Sequence, residues 1–296
     1  MSRNLTQQAQ PSIHWKFPET AKFGRVIPKE KLYQQAGVNA ELKQRFVEQV
    51  SQIKWAYKLA ENTLNLDKTD QVHELEVIHI KLKAQTLDEK VLRAIDKAIP
   101  HPTLFILSRE VKNTGQAIID KAREQEICYQ AAHKVKRVTA SKSTTQKEKW
   151  QQSIYLKSQW LRQASQPAKP LPAATNLERL YNQLLEALMP IGLNVEIDVE
   201  TDVETDVEVN TVQDVSKPQY ASELNASELT EVDDTKAANK KRSLAEKLAT
   251  IEKIEALNKQ IKQVKAKRDK EKQFNRRREL NDQFKALNKQ LAELTN

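Results

Sequence analysis

Apolar residues along the chain recur at intervals that predict its elements. Leu42, Phe46, Val50, Ile53 and Tyr57 are spaced by three or four, which predicts one amphipathic helix from Asn39 to Leu59 with Asn39 as its N-cap. Leu75, Val77, Ile78, Ile80 and Leu82 predict a strand. Its apolar parity switches between Val77 and Ile78, which implies a bulge or burial on both faces. Thr86 and Glu89 have capping-box spacing and open a helix in which Leu92, Ile95 and Ile99 share a face and which Pro100 ends. Thr103–Leu107 reads as a short buried strand, and Gln116–Ile119 fits a strand or a helix. A second capping box, Thr175 and Glu178, introduces a helix with Leu177, Leu180, Tyr181, Leu184 and Leu188 on its inner side. This order predicts an α+β fold, a mixed α/β core over residues 23–193.

Elsewhere the pattern breaks down. Residues 1–22, with Pro11 and Pro18, read as a flexible arm. Residues 134–149 turn to Lys, Ser, Thr and Gln and read as a basic insertion or long loop, and Pro167, Pro170 and Pro172 as a stiff connector. From Glu196 to Glu208 an acid occupies every even position, and Asp-Val-Glu-Thr is repeated. This predicts a solvated acidic linker over 194–239. Residues 240–296 are helical in composition. Ile254, Leu257, Ile261 and Val264 form one apolar register, and Leu280, Phe284, Leu287 and Leu291 form another. The registers do not join across Arg268–Arg278. A kinked coiled-coil-like helix or a helical hairpin is expected, pairing with itself, a second copy or another protein.

Composition narrows the chemistry. Four glycines among 296 residues, at 24, 37, 115 and 192, cannot build GxGxxG or GxxxxGK, and Cys128 alone makes neither a disulfide nor a cysteine zinc site. The net charge of +9 is unevenly spread: residues 1–195 carry 30 basic and 19 acidic groups, residues 196–235 carry 13 acids and Lys217, and residues 236–296 carry 18 basic and 8 acidic groups. Lys265, Lys267, Arg268, Lys270, Lys272, Arg276, Arg277 and Arg278 crowd the middle of the C-terminal helix. Such a row suits DNA or RNA bound through phosphate, and equally a solvated helix exterior. The polar start and the lack of a long apolar run lead us to expect a cytoplasmic protein without membrane contact.

Glu74 and Glu76 fall on one side of the same strand, about 7 Å apart, a separation that serves acid–base or metal chemistry as well as ordinary surface carboxylates. A nuclease of the carboxylate–lysine type needs partners for them. Asp120 and Lys121 are the nearest candidates, with Mg²⁺ as cofactor. His73 and His79 are about 20 Å apart along a strand and cannot share an ion, so no histidine metal site is expected. Lys29 and Lys58 are candidate phosphate ligands, and His101 lies in a rigid turn between Pro100 and Pro102.

Four patches carry a family resemblance: Phe23-Gly24-Arg25 with Pro28-Lys29; Ile53-Lys54-Trp55-Ala56-Tyr57-Lys58-Leu59; Leu92 to Pro102 with Phe105; and Glu271-Lys272-Gln273-Phe274-Asn275 with Glu279-Leu280-Asn281. Together they resemble the bacterial family called domain of unknown function 4391, and Glu74–Val77 fits its central strand. The resemblance implies a small accessory protein of prokaryotic restriction-modification or phage-defence loci, working beside a helicase, nuclease or methyltransferase. It transfers no catalytic residues and implies no cofactor. A non-catalytic adaptor is therefore the first expectation, and a metal-dependent nuclease the alternative.

Overall fold

The computed structural model describes residues 10–111, 125–138, 148–162, 166–190 and 243–295. The chain divides into two units, Met1–Asn194 with Ser243–Asn296, and Val195–Arg242. The second unit, and with it most of the expected acidic linker, lies outside the described residues. So do Asp120, Lys121 and Gln116–Ile119.

A seven-stranded mixed sheet organises the first unit. Its main path runs β2 (Lys22–Val26), β3 (Val50–Ala60), β4 (Glu74–Leu82), β5 (Thr103–Glu110), β6 (Gln125–Val138) and β7 (Glu148–Lys157), with β8 (Leu161–Arg162) on β6. Within this sheet only β4 and β5 pair in parallel; a single helical turn, α3 (Glu61–Leu64), follows β3, and α4 (Glu89–Ala98) is the crossover between β4 and β5. On one face, α5 (Leu177–Ala187) buries Leu177, Leu180, Tyr181 and Leu184 against Leu59, Leu75, Val77 and Leu104. On the other face, α1 (Lys29–Ala36), α2 (Ala40–Gln49) and α4 place Leu32, Phe46, Leu92 and Ile95 over Ile53, Ile78, Ile80 and Phe105. Strand β4 thus packs Leu75 and Val77 into one layer and Ile78, Ile80 and Leu82 into the other, which accounts for its parity switch.

The helix expected over 39–59 ends ten residues early. Asn39 does cap α2, accepting from the Leu42 N–H at 2.9 Å, but from Val50 the chain is strand. The strand's pairing with β4 shifts register between Val50 and Gln52 and again between Trp55 and Tyr57. The first shift keeps Val50 and Ile53 on one face despite a three-residue spacing. The second turns Tyr57 and Leu59 to the opposite face. Two bulges therefore imitate helical spacing in a β-branched, aromatic segment.

The two threonine capping boxes do not form. Asp88 caps α4 through the Lys90 N–H, and Asn176 caps α5 through the Arg179 N–H, each standing closer to the helix than the threonine and capping more strongly. The arm is also part of the fold from residue 10 onward. The short strands β1 (Trp15–Lys16) and β9 (Lys169–Pro170) pair in parallel, Trp15 sits edge-on to Tyr129, and Phe17 stacks on Tyr57 at 4.7 Å. The expected basic loop at 134–149 is likewise strand at both ends, because β6 runs to Val138 and β7 begins at Glu148.

A true capping box starts the C-terminal region. Ser243 accepts from the Glu246 N–H, and Glu246 accepts from the Ser243 N–H. Helix α6 (Leu244–Lys270) packs Leu248 and Ile251 into the α5 side of the core, and Lys247 pairs with Glu186 at 3.4 Å. After a break at Glu271–Gln273, α7 (Phe274–Thr295) returns along it. Ile254 and Ile261 bury against Leu291, with Leu257, Phe284 and Leu287 packed around them, while Val264 and Leu280 are half-buried. The region is a hairpin that pairs in cis. Among the described residues, no helix is long and apolar enough to cross a membrane.

Candidate functional site

The start of β4 gathers the chemistry. Register places Lys58 of β3 opposite Glu76 and Ala60 opposite Glu74, while Thr103 of β5 lies opposite Glu76 on the other side. Because β5 runs parallel to β4, the residue two before Thr103, His101, arrives beside Glu74. Its Nε2 is 3.0 Å from Glu74 Oε1, and Lys58 forms an ion pair with Glu74 Oε2. The donor atoms of Glu74, Glu76 and His101 all lie within 4.8 Å of one another.

The two carboxylates differ in environment. Burial opposes charge on Glu74, but the hydrogen bond from Lys58 and the proximity of His101 outweigh it and hold this carboxyl below its usual range. Glu76 is 1% exposed, and neither of its oxygens makes a well-formed hydrogen bond, although the Glu74 carboxyl and Trp55 Nε1, itself buried without a partner, lie close to it. Burial first, and then the charge of Glu74, push it up to about 8. Burial also lowers His101, more than Glu74 raises it, so the imidazole is neutral at pH 7.

A second network fixes the loop that carries His101. Lys134 Nζ donates to the carbonyls of Asp96, Ile99 and His101, at 2.8, 2.6 and 3.1 Å, and to Asp96 Oδ1 at 2.9 Å. Asp96 Oδ2 in turn accepts from Tyr155 Oη at 2.8 Å and from Gln152. A lysine expected in a solvated loop is thus a buried clamp on the end of α4. The two core lysines weighed for phosphate are occupied: Lys29 donates to Val50 O at 2.6 Å, and Lys58 is held by Glu74.

The opposite face of the sheet holds a pair that no spacing along the chain connects. His79 Nε2 and Ser108 Oγ, on neighbouring parallel strands, are 2.7 Å apart. They line a cleft of about 330 Å³ with Trp15, Tyr57, Ile106 and Tyr129. Burial and the charges of Lys54 and Lys81 lower His79. Neither this pair nor the His101–Glu74 contact is legible without strand register.

The basic row of the C-terminal region falls at the bend of the hairpin. Lys265, Lys267, Lys270, Lys272, Arg276, Arg277 and Arg278 are exposed. Arg268 turns inward instead, over the Phe284 ring at 4.9 Å and toward Asn281. From Ile251 to Lys270 the helix rises about 28 Å at 1.5 Å per residue, so the charged bend stands well beyond the core-packed turn. The acids at the bend are engaged locally. Asp269 accepts from Arg268, and Glu271 accepts from the N–H groups of Lys272 and Gln273.

No curated protein and no solved structure matches the chain. The family model described as "Domain of unknown function (DUF4391)" matches residues 16–291, from the β1 strand to the last turns of the hairpin, and the chain belongs to that family.

Proposed function

We propose that the protein is a non-catalytic accessory factor that contacts nucleic acid through the bend of its C-terminal hairpin and docks a helicase, nuclease or methyltransferase partner. The observation that supports this reading is the concentration of seven exposed Lys and Arg side chains at the bend, where Asp269 and Glu271 are already engaged. Phosphate neutralised by such a row releases counterions without reading bases. The setting, a prokaryotic restriction-modification or phage-defence locus, comes from the family resemblance.

The alternative, an Mg²⁺-dependent nuclease at Glu74 and Glu76, has less support. Glu76 is too enclosed to meet a phosphodiester, and Lys58 is spent on Glu74. Cleavage that requires Mg²⁺ and is lost in Glu74→Ala would favour it.

The test is fluorescence anisotropy with labelled single- and double-stranded oligonucleotides of unrelated sequence over a salt series. Binding should be sequence-independent, and log Kobs should fall linearly with log salt. Replacing Lys265, Lys267, Lys270 and Lys272 with Glu should reduce affinity at least about 100-fold at low salt and flatten the slope by about three to four. Unchanged binding in that variant would refute the assignment to the hairpin.

A further inference from the structure

We infer that Glu74, Glu76 and His101 form a site for one divalent transition-metal ion, which ties the start of β4 to the loop entering β5. The inference is independent of the role of the hairpin.

Three observations carry it. The donor atoms of the three residues lie within 4.8 Å of one another, and the described residues contain no other group of this kind. Glu76 is 1% exposed, neither of its oxygens makes a well-formed hydrogen bond although Glu74 and the buried Trp55 Nε1 lie close to it, and one of those oxygens belongs to this cluster. A carboxyl enclosed to that degree is normally hydrogen-bonded or bound to a cation, because leaving it unpaired is costly. Finally, the ligands are positioned in advance. Lys58 takes one oxygen of Glu74 and leaves the other toward His101. The His101 carbonyl accepts from Lys134 Nζ and from Thr103 Oγ1, and the Glu76 N–H donates to Pro102 O at 2.9 Å. Lys58, Lys134 and Thr103 thus hold the ligands as outer groups hold them in metal sites.

The donor set selects the ion. One imidazole nitrogen and two carboxylate oxygens suit Zn²⁺ or Mn²⁺, whereas Mg²⁺ and Ca²⁺ prefer all-oxygen surroundings. The enclosure of Glu76 assigns a structural role, cross-linking two parallel strands at their entry ends. A sequence search for metal spacing misses such a site because His101 lies 25 residues beyond Glu76 and reaches it only through strand register.

The experiment uses the full-length chain, stripped with a chelator, in equilibrium dialysis against Zn²⁺ or Mn²⁺ and in thermal unfolding with each ion. We expect one tightly bound ion per chain and a rise in Tm. Glu76→Gln and His101→Asn should each weaken that binding by more than about 10-fold and remove the rise in Tm. The acidic repeat at 196–208 is the same in all variants, so whatever ions it takes up cancel in the comparison. His101 is partly exposed in its loop, and His101→Asn decides the question should Glu76→Gln fail to fold by circular dichroism. No rise in Tm with either ion, or equal binding by wild type and His101→Asn, overturns the inference.

Discussion

The entry end of the sheet and the bend of the C-terminal hairpin both gather charge, under opposite conditions. Around Glu74, Glu76, Asp96 and Lys134 the charges are enclosed, and most have a short, named partner. At the bend, seven cations face solvent, each at the end of a long, mobile side chain. In the first region an electrostatic contact sets where backbone segments lie. In the second the backbone is set by an apolar seam, and the charges are carried on it. Charge in the sheet is thus part of the fold, and charge on the hairpin is available for a ligand.

The largest expected effect of a mutation follows from the enclosed side of this contrast. Lys134→Ala removes four contacts and leaves Asp96 buried without its cation, which should cost about 3–5 kcal/mol in urea unfolding. A double replacement of Lys134 by Met and Asp96 by Leu should cost much less, because no uncompensated charge remains. Equal losses in the single and double variants would mean that the loop, and not the charge, dominates. On the hairpin the comparable lesion is apolar. Ile261→Ala should cost about 2–3 kcal/mol, as a cavity in a thin seam. That loss should be local: helical circular dichroism decreases while tryptophan fluorescence holds, since Trp15, Trp55, Trp150 and Trp160 all lie outside the hairpin.

The same contrast explains what could be read from sequence. The hairpin seam was legible because long helices bury one stripe at constant spacing, and Ile254, Leu257, Ile261, Phe284, Leu287 and Leu291 keep that spacing against each other. Helices α4 and α5 were legible for the same reason, and β4 as a short, nearly continuous apolar run buried on both faces. Residues 50–59 were not, because tertiary pairing with β4 introduced bulges that no local pattern announces. Nor was the Glu74–His101 contact, which depends on the parallel register of β4 and β5. Both carboxylates could be placed on one side of a strand, but their lysine and histidine come from other segments. Caps sit between these cases. Thr86 and Thr175 have the right spacing, yet Asp88 and Asn176 take the N–H groups. Asn176→Ala should therefore cost about 1 kcal/mol and Thr175→Ala under about 0.5 kcal/mol, measured by the midpoint of thermal unfolding.

A smaller effect, confined to acid, belongs to His79. Its pKa in the folded chain lies below the usual 6.5, with Lys54 and Lys81 adding to burial. The unfolded chain therefore binds a proton there that the folded chain does not. The stability this neutral imidazole contributes is present above about pH 6.5 and declines as pH falls from that value through the folded pKa. His79→Asn should flatten this part of the stability–pH curve while leaving the value at pH 7.5 closer to wild type. An unchanged slope would place the acid sensitivity on the other half-buried imidazoles, His101 and His133.

The smallest expected change in stability is at the bend, and it is where function is expected to respond most. Lys270→Gln and Arg277→Gln remove exposed charges from a cluster of nine cations and two acids between Lys262 and Arg278. Each should alter stability by less than about 0.5 kcal/mol, since no buried partner is lost. The size of the effect should depend on salt. In dilute buffer the substitutions relieve repulsion among like charges and slightly raise the unfolding temperature of the hairpin. At 0.5 M salt, where screening falls within a few ångströms, the difference should vanish. A loss of stability that persists at high salt would show that these side chains are structural, as Lys134 is, and would remove the distinction between a fold held by charge and a charge held by the fold.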